Sequence, residues 1–251
     1  TDHGVVQGFP EAAEFYKATK KKKPDRNFKV ILGMEGYLVD DGPCVVYHLR
    51  GEEDFSRGFV AVDVETTGLD CAKDSLLEIG AVRFAADENG VFVPADRFHT
   101  FVNPGCEIPA KITELTGISE EDCKDAPDPF HAARLFADYL GELPICAHNA
   151  LFDLSFLRAA GFSVDIEQHA DYRVKFNPMT IDTVNLARTF YPDLKNAKLA
   201  TVAEYLGIEN PNAHRASADA ITSGYILSQT LRSFDITKPS ELNEKAGHLP
   251  R

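Results

Sequence analysis

The chain has 251 residues, of which 44% are hydrophobic and 26% charged, with a formal net charge of −13. That length allows one large or two small domains with real cores, and the composition is ordinary for a globular protein. The acidic balance argues against a protein that coats nucleic acid through bulk electrostatics, while leaving room for a local site where bound metal reverses the sign.

Thr1-Asp2-His3-Gly4 opens a loop–helix–strand unit, with a helix expected over residues 10–20 and an apolar strand over 29–32 ending near Glu35. His3 and Glu35 stand at the ends of two successive strands, where they could share a metal. Residues 20–23 form the basic cluster Lys20-Lys21-Lys22-Lys23, which reads as a solvated helix end rather than a nucleic-acid patch. Residues 43–49 read as a short strand in which His48 is structural, and residues 51–54 as a charged connector marking a domain boundary.

Residues 59–64 are apolar and mostly β-branched, flanked by Gly58 and Gly68, which predicts a strand buried on both faces. Asp63 and Glu65 are two apart and so leave it on one side. Paired like charges on a buried strand are expensive unless neutralised, and a hard divalent cation with oxygen ligands would neutralise them. Two other readings stay open for this segment alone. The acids can simply reach water at the strand end, or the turn can bind nucleotide as in actin-like ATPases, although Glu65 stands where such a loop wants a small residue.

Residues 76–84 alternate in strand fashion, Asp87-Glu88-Asn89-Gly90 supplies a hairpin turn, and residues 98–102 return as a third strand, completing an antiparallel meander. Residues 109–116 and 127–140 read as helices entered through proline. Residues 144–147 form a short buried strand leading to His148-Asn149-Ala150-Leu151-Phe152-Asp153 and a helix to Ala160, stopped by Gly161. Asp153 falls on its first turn, where the helix dipole favours an acid with or without a ligand. His148 takes a supporting role, and residues 165–177 read as a polar loop or lid. Ile181-Asp182-Thr183 opens another strand-to-helix passage, and residues 198–206 an amphipathic helix ended by Gly207. Residues 212–220 enter a last helix, with Asp219 just inside and His214 before or at its start. Both can face one pocket, while a surface or capping histidine is the other reading. The five cysteines are scattered without a Cys-x-x-Cys pair, which suggests neither a zinc site nor a disulfide framework and fits a reducing, cytoplasmic setting. No apolar run reaches membrane-spanning length, no signal peptide is visible, and the opening threonine suggests a piece of a longer polypeptide.

Asp-x-Glu-Thr-Thr-Gly, then His-Asn-x-x-Phe-Asp, then His-x-x-x-x-Asp resembles the DEDDh family of 3′ to 5′ exonucleases, the proofreading type within the ribonuclease-H-like superfold. The resemblance implies an α/β fold with a mixed central sheet flanked by helices. It matches Asp63, Glu65, Asp153 and Asp219 to the four metal-binding acids and His214 to the general base, with two Mg²⁺ or Mn²⁺ ions as cofactors. It also implies contacts from Thr66 and Gly68 to the single-stranded 3′ end of DNA, and makes Lys195, Lys198 and Arg215 candidate phosphate contacts.

Thr-Asp-His-Gly followed by Gly-Met-Glu-Gly-Tyr-Leu-Val-Asp-Asp-Gly resembles part of the polymerase-and-histidinol-phosphatase (PHP) domain of bacterial replicative polymerases. There, residues at the positions of His3 and Glu35 help hold a metal cluster. The preceding His-x-His motif and the later ligands are absent from this chain, so no complete PHP site is expected. Residues 37–57, Pro192-Asp193-Leu194-Lys195-Asn196 and Glu241-Leu242-Asn243-Glu244-Lys245-Ala246-Gly247 resemble the PolC type of replicative DNA polymerase III, whose exonuclease is inserted in the PHP domain. The implied organisation is a partial PHP segment and connector (1–54), the exonuclease (55–236) and a return segment toward the PHP domain (237–251), with the rest of the polymerase as partner. An exoribonuclease using the same acids, or a non-catalytic docking module that keeps them for stability, are the alternatives.

Overall fold

The computed structural model describes residues 2–3, 9–24, 34–35, 44–49, 51, 54–162, 176–209 and 215–248. The chain divides into two compact units, Thr1–Asp41 and Gly42–Arg251. In the first, β1 (Asp2–His3) and β2 (Met34–Glu35) pair in parallel, with α1 (Phe9–Lys22) between them in sequence. Lys20, Lys21 and Lys22 occupy the last turn of α1, where cations complement the exposed carbonyls. The expected strand at 29–32 lies outside the described residues.

The second unit is built on a six-stranded mixed sheet. Its elements are β3 (Val46–Tyr47), β4 (Phe59–Thr66), β5 (Leu76–Ala86), β6 (Phe92–Phe101), α2 (Ala110–Thr116), α3 (Glu120–Cys123), α4 (Pro129–Leu140), β7 (Ile145–Ala147), α5 (Ala150–Phe162), β8 (Thr180–Asp182), α6 (Thr183–Phe190), α7 (Leu199–Leu206), α8 (Ala216–Ser233) and α9 (Pro239–His248). The strand order is β3-β8-β7-β4-β5-β6. β4, β5 and β6 form the antiparallel meander, β4, β7 and β8 run parallel, and β3 closes the far edge antiparallel to β8.

Alternation along β4 splits the core in two. Phe59 and Ala61 join Phe84, Ile226 and Leu227 under α8, whereas Val60, Val62 and Val64 join Phe136, Leu154 and Phe156 under α4 and α5. The α8 layer is unusually close to the sheet. A Cβ on Gly224 would lie 2.1 Å from the Phe84 ring, and Phe84 in turn stacks on Phe59 at 5.1 Å between centroids.

Three elements differ from their sequence outlines. β6 begins at Phe92 rather than near residue 98, because it is an edge strand whose outward polar residues and Pro94 disguise it, and an edge tolerates proline. α5 continues through Gly161 to Phe162, since a glycine one residue from a helix end imposes only a modest penalty. β3, from the stretch outlined with the N-terminal segment, belongs to the large sheet. The Asn243 side chain on α9 fastens it, accepting from Val45 N and Val46 N at 2.8 and 2.9 Å and donating to the Val46 carbonyl at 2.9 Å. The described part of the expected 165–177 loop is Phe176 and Asn177, whose carbonyl and side-chain oxygens Arg158 holds.

Candidate active site

Asp63 and Glu65 leave β4 on the α8 face, the two half-buried positions of an otherwise buried strand. Asp219 reaches them because the first turn of α8 lies directly on β5. A Cβ on Gly80, the register partner of Asp63, would sit 2.3 Å from Ser217 N and 2.4 Å from the Ala216 carbonyl carbon. Only glycine permits that approach. As a result, carboxylate oxygens of Asp63, Glu65 and Asp219 lie within 4.8 Å of one another.

Asp153 arrives from the opposite layer. α5 packs with α4 on the other face of the sheet, but its first turn begins just past the end of β7, and Asp153 Oδ1 accepts a hydrogen bond from Val64 N at 3.1 Å. Its side chain is 2% exposed, and its charge acts on Asp63 although it stands outside the tight trio.

At an effective dielectric near 20, two unit charges at the 4.8 Å limit repel by about 3.5 kcal/mol. Burial, followed by repulsion from Asp153, Asp219 and Glu65, holds the Asp63 carboxyl well above the usual carboxylate range. Burial, then the charges of Glu78 and Asp219, push Glu65 up to about 7, with Arg215 opposing. Burial also raises Asp153, against the hydrogen bond from Val64. Oxygen donors of one sign, converging from separate elements, suit a hard divalent cation such as Mg²⁺ or Mn²⁺.

Glu78 is the residue that sequence reasoning missed. It faces Glu65 across the β4–β5 pair and is fully buried. Its carboxylate accepts from Arg215 Nη2 at 3.0 Å, from Ala216 N at 3.2 Å and from His99 Nε2 at 2.6 Å. Glu78 therefore latches the start of α8, and with it Asp219, to β5. Arg215, a candidate phosphate contact from the resemblance, pairs with Glu78 in this latch and lies over the Phe101 ring at 5.7 Å. A lone acid inside the apolar run Leu76-Leu77-Glu78-Ile79 was the available signal.

The Thr66 hydroxyl donates to the Gly68 carbonyl at 2.6 Å, and Thr67 exchanges hydrogen bonds with Ser75. A Cβ on Gly68 would lie 2.3 Å from an Asp74 carboxylate oxygen, so this turn is closed by its own side chains. Lys195 and Lys198 are exposed. His148 Nδ1 lies 2.9 Å from Thr183 Oγ1, and burial lowers the ring's pKa. His214 lies outside the described residues. In the small unit, the backbones of His3 and Glu35 are register partners.

The exonuclease family profile, RNase_T, matches residues 60–227, the span from β4 through most of α8. The chain belongs to the exonuclease family. The chain is 41% identical over 249 residues to a PolC-type DNA polymerase III of Clostridium perfringens and 37% identical over 250 residues to that of Bacillus subtilis. Both matches take in 98% of the chain, which spans only 16% of the length of either relative. Among solved structures, exonuclease X in complex with 5′ overhanging duplex DNA superposes with a TM-score of 0.56 at 19% identity, covering 75% of this chain and 99% of that one. S. pombe Pop2p in its Mg²⁺- and Mn²⁺-bound form gives 0.55 at 16% identity, covering 72% and 86%. These two share the fold of the exonuclease domain. None of the five cysteines is in a disulfide, and no helix among the described residues is long and apolar enough to cross a membrane.

Proposed function

We propose that the domain is a metal-dependent 3′ to 5′ exodeoxyribonuclease that proofreads for a PolC-type replicative polymerase, removing nucleotides as monophosphates in the cytoplasm. The observation that carries this reading is the convergence of Asp63, Glu65 and Asp219 within 4.8 Å, with the buried Asp153 beside them. These four acids would hold two Mg²⁺ or Mn²⁺ ions. When bound, such ions supply positive charge against the scissile phosphate and acidify water for attack.

The chain's own residues do the rest. Asp63 and Glu65 face the terminal phosphodiester from the strand, and the Glu78 latch keeps Asp219 opposite them. Thr66 and the Gly68 backbone border the terminal nucleotide. His214 is the general base that accepts a proton from the attacking water, a role suited to an imidazole near neutral pH. Frayed single-stranded ends are preferred, because paired termini must first unstack. His3 and Glu35 are part of a PHP metal site, residues 1–54 and 237–251 are the PHP segments on either side of the inserted exonuclease, with β3 and α9 packed onto its sheet, and the rest of the polymerase is the partner.

The test uses labelled DNA and RNA oligomers of one sequence with Mn²⁺. Asp63→Ala and Asp219→Ala should abolish shortening from the 3′ end, and His214→Ala should lower it strongly while leaving the melting temperature unchanged. Wild-type degradation by Asp63→Ala refutes the assignment, and faster loss of RNA than of DNA makes the enzyme an exoribonuclease.

A further inference from the structure

Asp153 and Asp219 ride on the first turns of helices, so each is placed only as well as its helix start is fixed. Glu78 fixes the start of α8, and α5 is held by other means. Asn149, the residue before α5, takes a φ of 69°, in the left-handed region rather than the extended backbone of a usual helix cap. The cap comes from the neighbouring strand instead. Asp182 ends β8 as the register partner of Ala147, the last residue of β7, and its Oδ2 accepts from Ala150 N at 3.2 Å.

The other oxygen serves the helix that follows Asp182 in sequence, Oδ1 accepting from Val184 N at 2.8 Å and from Asn185 N at 3.3 Å at the start of α6. One buried carboxylate therefore joins two helix amino ends, whose dipoles meet its charge. Its own backbone is held as well, since Asp182 N donates to the Val45 carbonyl at 2.9 Å. A second tie runs alongside it: the Thr183 hydroxyl donates to the Ala147 carbonyl at 3.3 Å and lies 2.9 Å from His148 Nδ1. On the far side of β7, Asp153 Oδ1 takes Val64 N from β4. The strand order β8-β7-β4 thus sets the first turn of α5 between two anchors, Asp182 from one neighbour of β7 and Val64 from the other. Asp182 is close enough for its charge to act on Asp153.

We propose that Asp182 is the positioning residue of Asp153: by capping α5 from β8 it fixes the first helical turn, and with it the place of the Asp153 carboxylate beside Asp63. A carboxylate suits this task because it has two acceptor oxygens, one for each helix start, whereas an amide has one and a hydroxyl is short. Both oxygens are spent on backbone amides, so Asp182 acts through Asp153 rather than as a fifth metal donor. Its bearing on metal binding rests on the nuclease reading of the four acids, and its bearing on geometry does not.

The test is Asp182→Ser, whose hydroxyl can still cap the adjoining α6 but is too short to reach Ala150 on the next strand. In EDTA the NMR resonance of the Val64 amide proton, which Asp182 does not touch, should move upfield as its bond to Asp153 loosens. Mn²⁺ affinity by calorimetry should fall about tenfold, as when a group that orients a metal ligand is lost. In an Asp153→Asn background the same change should cost less than about twofold, because the group it acts through is gone, whereas a loss due to the charge of Asp182 itself would persist there. Leu231→Ala, a core truncation at the far end of α8, should lower the melting temperature without either effect. Asp182→Asn, equal in shape but with one acceptor for two helix starts, should show the same signs in smaller measure, and decides the matter if the serine variant does not fold. An unmoved Val64 resonance, undiminished Mn²⁺ affinity, or an equal loss with and without Asp153 overturns the proposal. If wild type binds no Mn²⁺ and the Val64 resonance still moves, Asp182 positions Asp153 and the metal reading falls.

Discussion

Glu65 should make the metal-free protein less stable as pH rises, by an amount the structure allows to be worked out. Its carboxyl moves from an ordinary 4.5 in the unfolded chain to about 7 in the fold. Below pH 4.5 it is protonated in both states and contributes nothing. Between 4.5 and 7 the folded state retains a proton that the unfolded state has released, so stability falls with pH, and above 7 the full penalty is present. At about 1.4 kcal/mol for each tenfold in proton affinity, that penalty is about 3 kcal/mol, and screening of a partly open side chain reduces it to on the order of 2 kcal/mol.

The assay is urea unfolding at pH 5, 6, 7 and 8 in EDTA, for wild type and Glu65→Gln. The difference between the two isolates Glu65 from His148, whose lowered pKa acts with the opposite sign, stability rising as pH rises toward its ordinary 6.5. Asp70 and Asp87, held low mainly by hydrogen bonds, act below their ordinary 3.8, outside this window. Glu65→Gln should exceed wild type by only about 0.5 kcal/mol at pH 5 and by about 2 kcal/mol at pH 8. Mn²⁺ should remove most of the gap by stabilising wild type alone. A gap that is absent at pH 8, or as large at pH 5, would refute the account of a carboxylate raised by burial and its acidic neighbours.

What the sequence disclosed depended on how far apart the cooperating residues lie. Asp63 and Glu65 are legible because period two acts over two residues, and the first-turn positions of Asp153 and Asp219 follow from local helix signals. That Asp153 approaches from one layer and Asp219 from the other is not local. It depends on which helices cover which face, and only the packing of Val64 and Ala61 into separate cores decides it. Glu78 was hidden for the same reason. An acid in an apolar run looks like a blemish until Arg215, 137 residues later, is laid against it, and that contact requires the bare Cα of Gly80 to let α8 descend. The edge strands β3 and β6 escaped clean definition because a strand with one free side need not be apolar throughout.

Gly80→Ala should lower stability by about 1–3 kcal/mol and remove most nuclease activity, because the new methyl displaces the first turn of α8 and carries Asp219 from the trio. Gly161→Ala, where a Cβ meets nothing within 4 Å, should by contrast be neutral or stabilise by about 0.5–1 kcal/mol in the same thermal melts. Glu78→Gln tests the latch most sharply, because the amide oxygen can still accept from Ala216 N while the charge that balances Arg215 is gone. Arg215 already draws Glu65 toward its ionised form. With its guanidinium unbalanced beside the acids, Mn²⁺ affinity by calorimetry should fall about tenfold, the scale on which one uncompensated charge alters a neighbouring carboxylate. If affinity and stability both match wild type, Glu78 neither balances Arg215 nor holds α8, and the position of Asp219 must be set by the Gly80 contact alone.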